Sequence, residues 1–234
     1  MRINKLFSNY GICSRKETNK LIEDKRVIVN GVLCKLGQWV EEYDEILLDG
    51  ERVKPREKIY IALNKPVGIT CTASEEVKDN IIDYINYGQY IFPVGRLDMY
   101  TSGALILTDD GDFVYKITHP KHEIEKTYTV TIKGIVTNEE VQKLRQGVEI
   151  DDNGEKYITK KANVRILKTD IEKDISRLEI VIHEGKNRQV RKMCEAVGRK
   201  VLALHRSKIG NIGVKDLKIG TWRYLKKHEI EKLL

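Results

Sequence analysis

Apolar residues Ile3, Leu6, Phe7 and Tyr10 recur at helical spacing, and Gly11 follows as a stop, which predicts a first helix. Ser14 with Glu17 three residues on is a capping box. It predicts a second helix buried through Leu21 and Ile22. The pattern then changes to short apolar runs. Val27-Ile28-Val29 and Val32-Leu33-Cys34 flank Asn30-Gly31, and Ile46-Leu47-Leu48 and Val53 flank Asp49-Gly50. Such dipeptides between apolar runs are strong hairpin signals. Two helices and two hairpins make residues 1–53 a small unit near the lower size limit for independent folding. Residues 54–58, polar and carrying Pro55, read as a linker.

From residue 59 to 234 a larger alternation begins. Ile59 to Leu63 reads as a strand, followed by a turn at Asn64-Lys65-Pro66-Val67-Gly68. Tyr128, Val130 and Ile132 alternate with threonines, and Leu178, Ile180 and Ile182 alternate with Glu179, Val181 and His183, giving two more strands. Thr137 and Glu140 cap a helix that Gly147 ends, and Asp109-Asp110-Gly111-Asp112 caps another. A helix is expected from about Arg188 to Val197, closed by Gly198, and a short one from Lys226 to Leu234. Strands and helices do not alternate strictly, so the expected class is α+β, a mainly antiparallel sheet with helices on its faces.

The stretch Val94-Gly95-Arg96-Leu97-Asp98-Met99-Tyr100-Thr101-Ser102-Gly103 lies between apolar runs and reads as strand, loop, strand. In an extended backbone Arg96 and Asp98 share one face and Leu97 takes the other. A carboxylate beside a guanidinium suits a reactive group in a polyanion-binding cleft. An ordinary turn, with Asp98 bonding its own backbone, satisfies the same residues.

Composition narrows the function classes. The formal net charge of +7, from 42 Lys and Arg against 35 Asp and Glu, favours a polyanionic partner. No stretch approaches the length of a membrane span, and the start Met-Arg-Ile-Asn-Lys lacks the apolar core of a signal peptide. Cys13, Cys34, Cys71 and Cys194 are widely spaced, and the five histidines show no metal-ligand spacing. Reduced thiols, a cytoplasmic location and no metal are therefore expected. No Gly-rich phosphate loop or dinucleotide fingerprint offers a cofactor site.

Gly95-Arg96-Leu97-Asp98 with Thr101-Ser102-Gly103 resembles the catalytic loop of the pseudouridine synthases, in the branch that acts on single ribosomal RNA uridines (the RsuA/RluB/RluF type). The resemblance implies that Asp98 is the catalytic residue and that Arg96 helps displace the target nucleotide. Further matches run over nearly all of residues 59–225. Leu63 to Gly68 resembles the family's opening strand and turn, with Lys65 a candidate phosphate contact. Tyr128 stands where the family stacks a tyrosine on the target base. In Asn187-Arg188-Gln189-Val190-Arg191-Lys192-Met193, Arg191 takes the place of the cation that pairs with the catalytic carboxylate, and Arg188 is a candidate RNA contact. Several cations at a helix N-terminus are unfavourable on dipole grounds unless an anion sits there. Ile180 or Ile182 would pack against the base. This helix is most similar to the RluF-like, large-subunit version.

The order Ser14-Arg15-Lys16-Glu17, helix, then Val27-Ile28-Val29-Asn30-Gly31 resembles the alpha-L motif, a small RNA-binding domain shared by a ribosomal small-subunit protein and many RNA-modifying enzymes. Arg15, Lys16, Lys20, Lys25 and Arg26 would then meet phosphates of structured RNA. Together these features imply a monomer that isomerises a uridine of ribosomal RNA to pseudouridine without metal or cofactor. Asp98 would act as nucleophile or as base. A non-catalytic RNA-binding or ribosome-assembly protein is the first rival, although such a protein has no need of Asp98. A methyltransferase is the second, and it lacks a site for its methyl donor.

Overall fold

The computed structural model describes residues 1–74 and 77–234. Helices α1 (Ile3–Asn9) and α2 (Arg15–Glu23) open the chain. Ser14 Oγ accepts the Glu17 N–H at 3.1 Å and the Glu17 carboxylate accepts the Ser14 N–H at 2.7 Å, so the capping box forms. The inner face of α2 differs slightly from the expectation: Thr18 and Ile22 are buried, while Leu21 is only half-buried. Strands β1 (Val27–Val29) and β2 (Val32–Leu33) turn at Asn30-Gly31, both with positive φ (50° and 79°), as a two-residue hairpin requires. Strands β3 (Ile46–Leu48) and β4 (Glu51–Arg52) turn likewise at Asp49-Gly50. The four form one sheet, ordered β2-β1-β3-β4, over a core of Ile3, Leu6, Phe7, Ile22, Val27, Val29 and Ile46.

Residues 53–59 have no regular structure but are tied down. The Arg56 N–H donates to Tyr10 O at 3.3 Å, the Lys58 ammonium donates to Asn9 O, and the Ile59 N–H donates to Asp109 Oδ1 at 2.9 Å.

The remaining elements are β5 (Tyr60–Lys65), α3 (Ile81–Ile85), β6 (Phe92–Pro93), β7 (Thr101–Thr108), α4 (Gly111–Thr118), β8 (Lys126–Lys133) and α5 (Asn138–Gln146). Then follow β9 (Glu149–Asp152), β10 (Glu155–Ile158), β11 (Asn163–Asp170), β12 (Ile175–Ile182), α6 (Gln189–Ala196), β13 (Val201–Ile209), β14 (Ile212–Gly213), β15 (Trp222–Tyr224) and α7 (Lys227–Leu233). The main sheet runs β11-β12-β8-β13-β7-β5-β15, with β6 paired to β7 and β14 to β13. Among the described strands its pairings are antiparallel except that of β7 with β13, so a mixed α+β fold with a mainly antiparallel sheet is observed.

Strand β7 reads as a continuous apolar run because both its faces are buried. Leu105 and Leu107 enter one core with Leu63, Val130, Leu178 and Met193, while Ala104 and Ile106 enter a second with Phe113, Ile117, Ile209 and Leu233. Strand β13 escapes the alternation reading of the sequence, yet it joins the two halves of the sheet. Its parallel pairing with β7 covers only Leu204–Thr101, His205–Ser102 and Arg206–Gly103. Gly103 has φ 113°, and a Cβ there would come within 2.6 Å of Arg206 N and closer still to its carbonyl oxygen. Only glycine permits this approach of two backbones. Among the described residues no helix is long and apolar enough to cross a membrane.

Candidate active site

Strand β6 leads into the loop from Val94, whose N–H donates to Ile106 O at 2.8 Å, and β7 leads out of it. Leu97 turns inward and is buried, its N–H directed at Cys71 Sγ at 3.5 Å. Arg96, exposed, and Asp98, half-buried, both line a cleft of about 890 Å³. The two readings of Asp98 hold together. Its Oδ1 accepts the Tyr100 N–H at 2.9 Å, as in an ordinary turn, while Oδ2 faces Arg191 Nε at 3.3 Å.

Arg191 reaches this loop from α6, a helix 93 residues along the chain from Asp98. One guanidinium nitrogen also donates to Tyr100 O at 2.9 Å and to Thr101 Oγ1 at 3.1 Å. The guanidinium thus holds the turn and the carboxylate in one geometry, and Arg191 is only 8% exposed. The fork of donors makes this possible where a single ammonium could not span all three acceptors.

Tyr128, on β8, lies opposite Ile180 of β12 and Arg206 of β13 and presents its remaining exposed surface to the same cleft. Of the two isoleucines left open above, Ile182 lines the cleft, while Ile180 is wholly buried in the first core. The far wall is built by the β9–β10 hairpin and the corner before α6. Glu184 braces this wall: its carboxylate accepts from Tyr157 Oη at 2.6 Å, from the Lys160 N–H at 3.0 Å and from the Gln189 amide. The bond to Glu184 holds the Tyr157 hydroxyl protonated up to about pH 12, so it serves as a fixed donor. Lys186 closes the corner, 2.9 Å from Asp152 and over the Tyr157 ring at 4.2 Å.

A profile of the RNA pseudouridylate synthase family matches residues 59–196, a span that includes the Asp98 loop, Tyr128 and Arg191. The chain is 37% identical to the ribosomal large subunit pseudouridine synthase B of Bacillus subtilis (strain 168), over 99% of this chain and 95% of the relative. It is 36% identical to the dual-specificity RNA pseudouridine synthase RluF of Escherichia coli (strain K12), over 98% of this chain and 77% of the relative. A solved structure titled a crystal structure of pseudouridylate synthase superposes with a TM-score of 0.71 at 35% identity, covering 100% of both chains. This chain belongs to the RNA pseudouridylate synthase family.

Within this synthase, one expectation fails on burial. Lys65 is not available to a phosphate: it is fully buried, and its ammonium donates to Pro66 O and Ile69 O, each at 2.8 Å. Burial pushes its pKa down, and Arg206 adds to this while Cys71 and Asp98 oppose it. Lys65 therefore ties the turn after β5 in place beneath the cleft. Arg188 does lie at the cleft, exposed, with φ 51° at the N-cap of α6. On α2 and the turn after it, Arg15, Lys16, Lys20, Lys25 and Arg26 are all exposed. Arg26 is engaged by both oxygens of Asp49 across the small sheet, which leaves it less free than the other four.

Sequence reasoning missed the contributions of Thr101, Glu184, Lys126 and Arg206. Period two from Tyr128 could have pointed to Lys126, which lies two residues earlier on the same strand face. It is half-buried, donates to Ile124 O at 3.0 Å, and has its pKa lowered by burial and by Arg206. Nothing local marks Arg206. Among the described residues no cluster of three or more His, Cys, Asp or Glu could hold a metal ion.

Proposed function

We propose that this chain isomerises a uridine of ribosomal RNA, in the large subunit, to pseudouridine, with Asp98 as the catalytic carboxylate. The observation that carries the reading is the Asp98–Arg191 pair set in a cleft beside Tyr128. The name of the Bacillus subtilis relative, similar over nearly the whole chain, supports the choice of substrate.

The target uridine must leave its helix, because its carbon 5 and glycosidic bond are out of reach within a stack. Arg96, exposed at the cleft mouth, takes the space the nucleotide vacates. The uracil lies on the Tyr128 ring, where stacking contributes about 1–3 kcal/mol, and Ile182 covers its apolar edge. Asp98, aimed by Arg191, acts at the ribose as nucleophile or base. The carbon–nitrogen bond breaks, the held uracil turns, carbon 5 bonds to the ribose and its proton is lost. Residues 1–53 act as an alpha-L type RNA-binding domain, with Arg15, Lys16, Lys20 and Lys25 meeting phosphates and Arg188 joining them at the cleft rim. The protein is read as a cytoplasmic monomer that needs neither metal nor cofactor.

The test is tritium release from carbon 5 of uridine in unmodified large-subunit ribosomal RNA. The wild type should release tritium, and Asp98→Asn should release none while binding RNA within a few-fold of wild type. Multiple turnover by the Asn variant removes Asp98 from the catalytic role. Tight RNA binding by the wild type with no release favours a binding protein instead.

A further inference from the structure

Arg206 is 4% exposed, yet one nitrogen of its guanidinium, Nη2, has no hydrogen-bond partner among the described residues. Its Nε is used, donating to Ala104 O at 2.8 Å, which fixes the side chain across the point where β7 and β13 meet. A guanidinium keeps its charge and its donors in a rigid fork, so the spare donor cannot fold away or be neutralised. A buried donor without an acceptor is costly, and native structures keep few of them. Arg206 is one of the residues that line the cleft, so a group seated there lies against its side chain.

Its position identifies that acceptor. Arg206 stands directly opposite Tyr128 in the β13–β8 pairing, a relation that puts the two side chains on one sheet face with Cβ atoms about 4.5–5.5 Å apart. Lys126 shares that face two residues from Tyr128 and spends its hydrogen bond on a carbonyl. The ring on which a base would stack is thus flanked by two cations whose hydrogen bonds go to carbonyl oxygens. RNA phosphates are better served at the rim, where Arg96 and Arg188 are exposed. A base stacked on Tyr128 would bring its edge toward Arg206, which stands opposite that ring.

We propose that Arg206 is a further catalytic residue: Nη2 donates to a carbonyl oxygen of the uracil ring and stabilises the charge the ring carries after the glycosidic bond breaks. The inference rests on the uridine-isomerase reading above. When the bond between ribose carbon 1 and ring nitrogen 1 breaks, both electrons stay with the uracil. The negative charge spreads over nitrogen 1 and the two carbonyl oxygens. The ribose is balanced either by a bond to Asp98 or by loss of a ribose proton to it, a bond that is released or a proton that is returned when carbon 5 bonds. The same charge arises whether Asp98 serves as nucleophile or base. It is consumed when carbon 5 bonds to the ribose, after which the carbon 5 proton leaves. A fixed, buried donor already held in place by Ala104 O meets charge as it develops without reorganising.

The test compares full-length wild type with Arg206→Met on unmodified large-subunit ribosomal RNA. It reads the single-turnover rate of tritium release, the RNA affinity and the salt dependence of that affinity. Arg206→Met should lower the rate by about 10²-fold or more, the loss typical of removing one preorganised donor. Affinity and salt slope should stay as in wild type. Millimolar guanidinium should restore part of the rate to Arg206→Ala. A wild-type rate in the Met variant overturns the inference. So does a loss of affinity with a salt slope shallower by about 0.7–0.9, which would make Arg206 a phosphate contact. If melting curves show that the Met and Ala variants do not fold, Arg206→Lys decides. It keeps a charge that can reach Ala104 but loses the fork, and should slow turnover without changing affinity; full activity overturns the inference. Absence of tritium release by the wild type would instead sink the underlying reading.

Discussion

Replacing Arg191 tests how the carboxylate of the cleft is held. The side chain is 8% exposed and serves three acceptors: Asp98 Oδ2, Tyr100 O and Thr101 Oγ1. Arg191→Met removes all three bonds and leaves an unpaired carboxylate. Breaking a buried pair costs about 3–5 kcal/mol. The Asp98 side chain is 22% exposed and can recruit water, which places the cost near the lower end, about 3 kcal/mol. For a chain of this size that corresponds to a fall of roughly 6–12 °C in melting temperature. Arg191→Lys keeps the charge but offers one nitrogen for three acceptors, so a loss of about 1 kcal/mol, or roughly 2–4 °C, is expected. Activity should separate the variants further, because a misplacement of about 1 Å in a catalytic group costs on the order of 10²-fold. The Met variant should release tritium at least that much more slowly, and the Lys variant should lie between it and wild type. The assay is single-turnover tritium release at saturating RNA, with thermal melting followed by circular dichroism. Equal rates and coincident melting curves for the Met and Lys variants would refute the pairing, and the partner of Asp98 would then be sought at Arg188 or Lys192.

Deleting residues 1–53 should weaken binding to structured RNA and flatten its salt dependence by about 0.7–0.9 in log–log slope for each phosphate left without its cation. An unchanged slope in a nitrocellulose-filter titration would make the α2 cations a merely solvated face. Gly103→Ala should destabilise the chain by at least the 1–3 kcal/mol typical of strained backbone, since φ is 113° and the new methyl group would meet the Arg206 backbone. A denaturant midpoint matching wild type would contradict the close approach of β7 and β13. Arg223 holds Glu229 through two bonds of 2.7 Å and lowers its pKa from 4.5 to about 2, fastening α7 to β15. Because the folded-state pKa is depressed, this stabilisation is complete above about pH 4.5 and is lost as pH falls toward 2. Arg223→Leu should flatten the fall in melting temperature across that window, and an unaltered acid profile would count against the pair.

The sequence by itself determined what short-range physics decides. The capping boxes at Ser14 and Thr137, the Asn30-Gly31 and Asp49-Gly50 turns, the Asp110 cap of α4 and the alternation of β8 and β12 all form where local residues place them. Each depends on groups within a few positions of one another. The Asp98 loop was legible for a different reason, because Gly95 to Asp98 and Thr101 to Gly103 resemble the loop of a known family. Tertiary structure decided the rest. Strand β13 lacks a clean alternation, since it is paired on both sides, bulged twice against β8, and parallel to β7 for only three residues. Its place, and with it the place of Arg206, follows from pairing with strands about 70 to 100 positions earlier in the chain, a relation with no local signature. Lys65 reads as a surface cation in sequence and is buried because the turn after β5 folds over its ammonium and supplies two carbonyl oxygens. Burial of a charge is decided by what packs above it and which acceptors it finds there, and only the assembled sheet provides both.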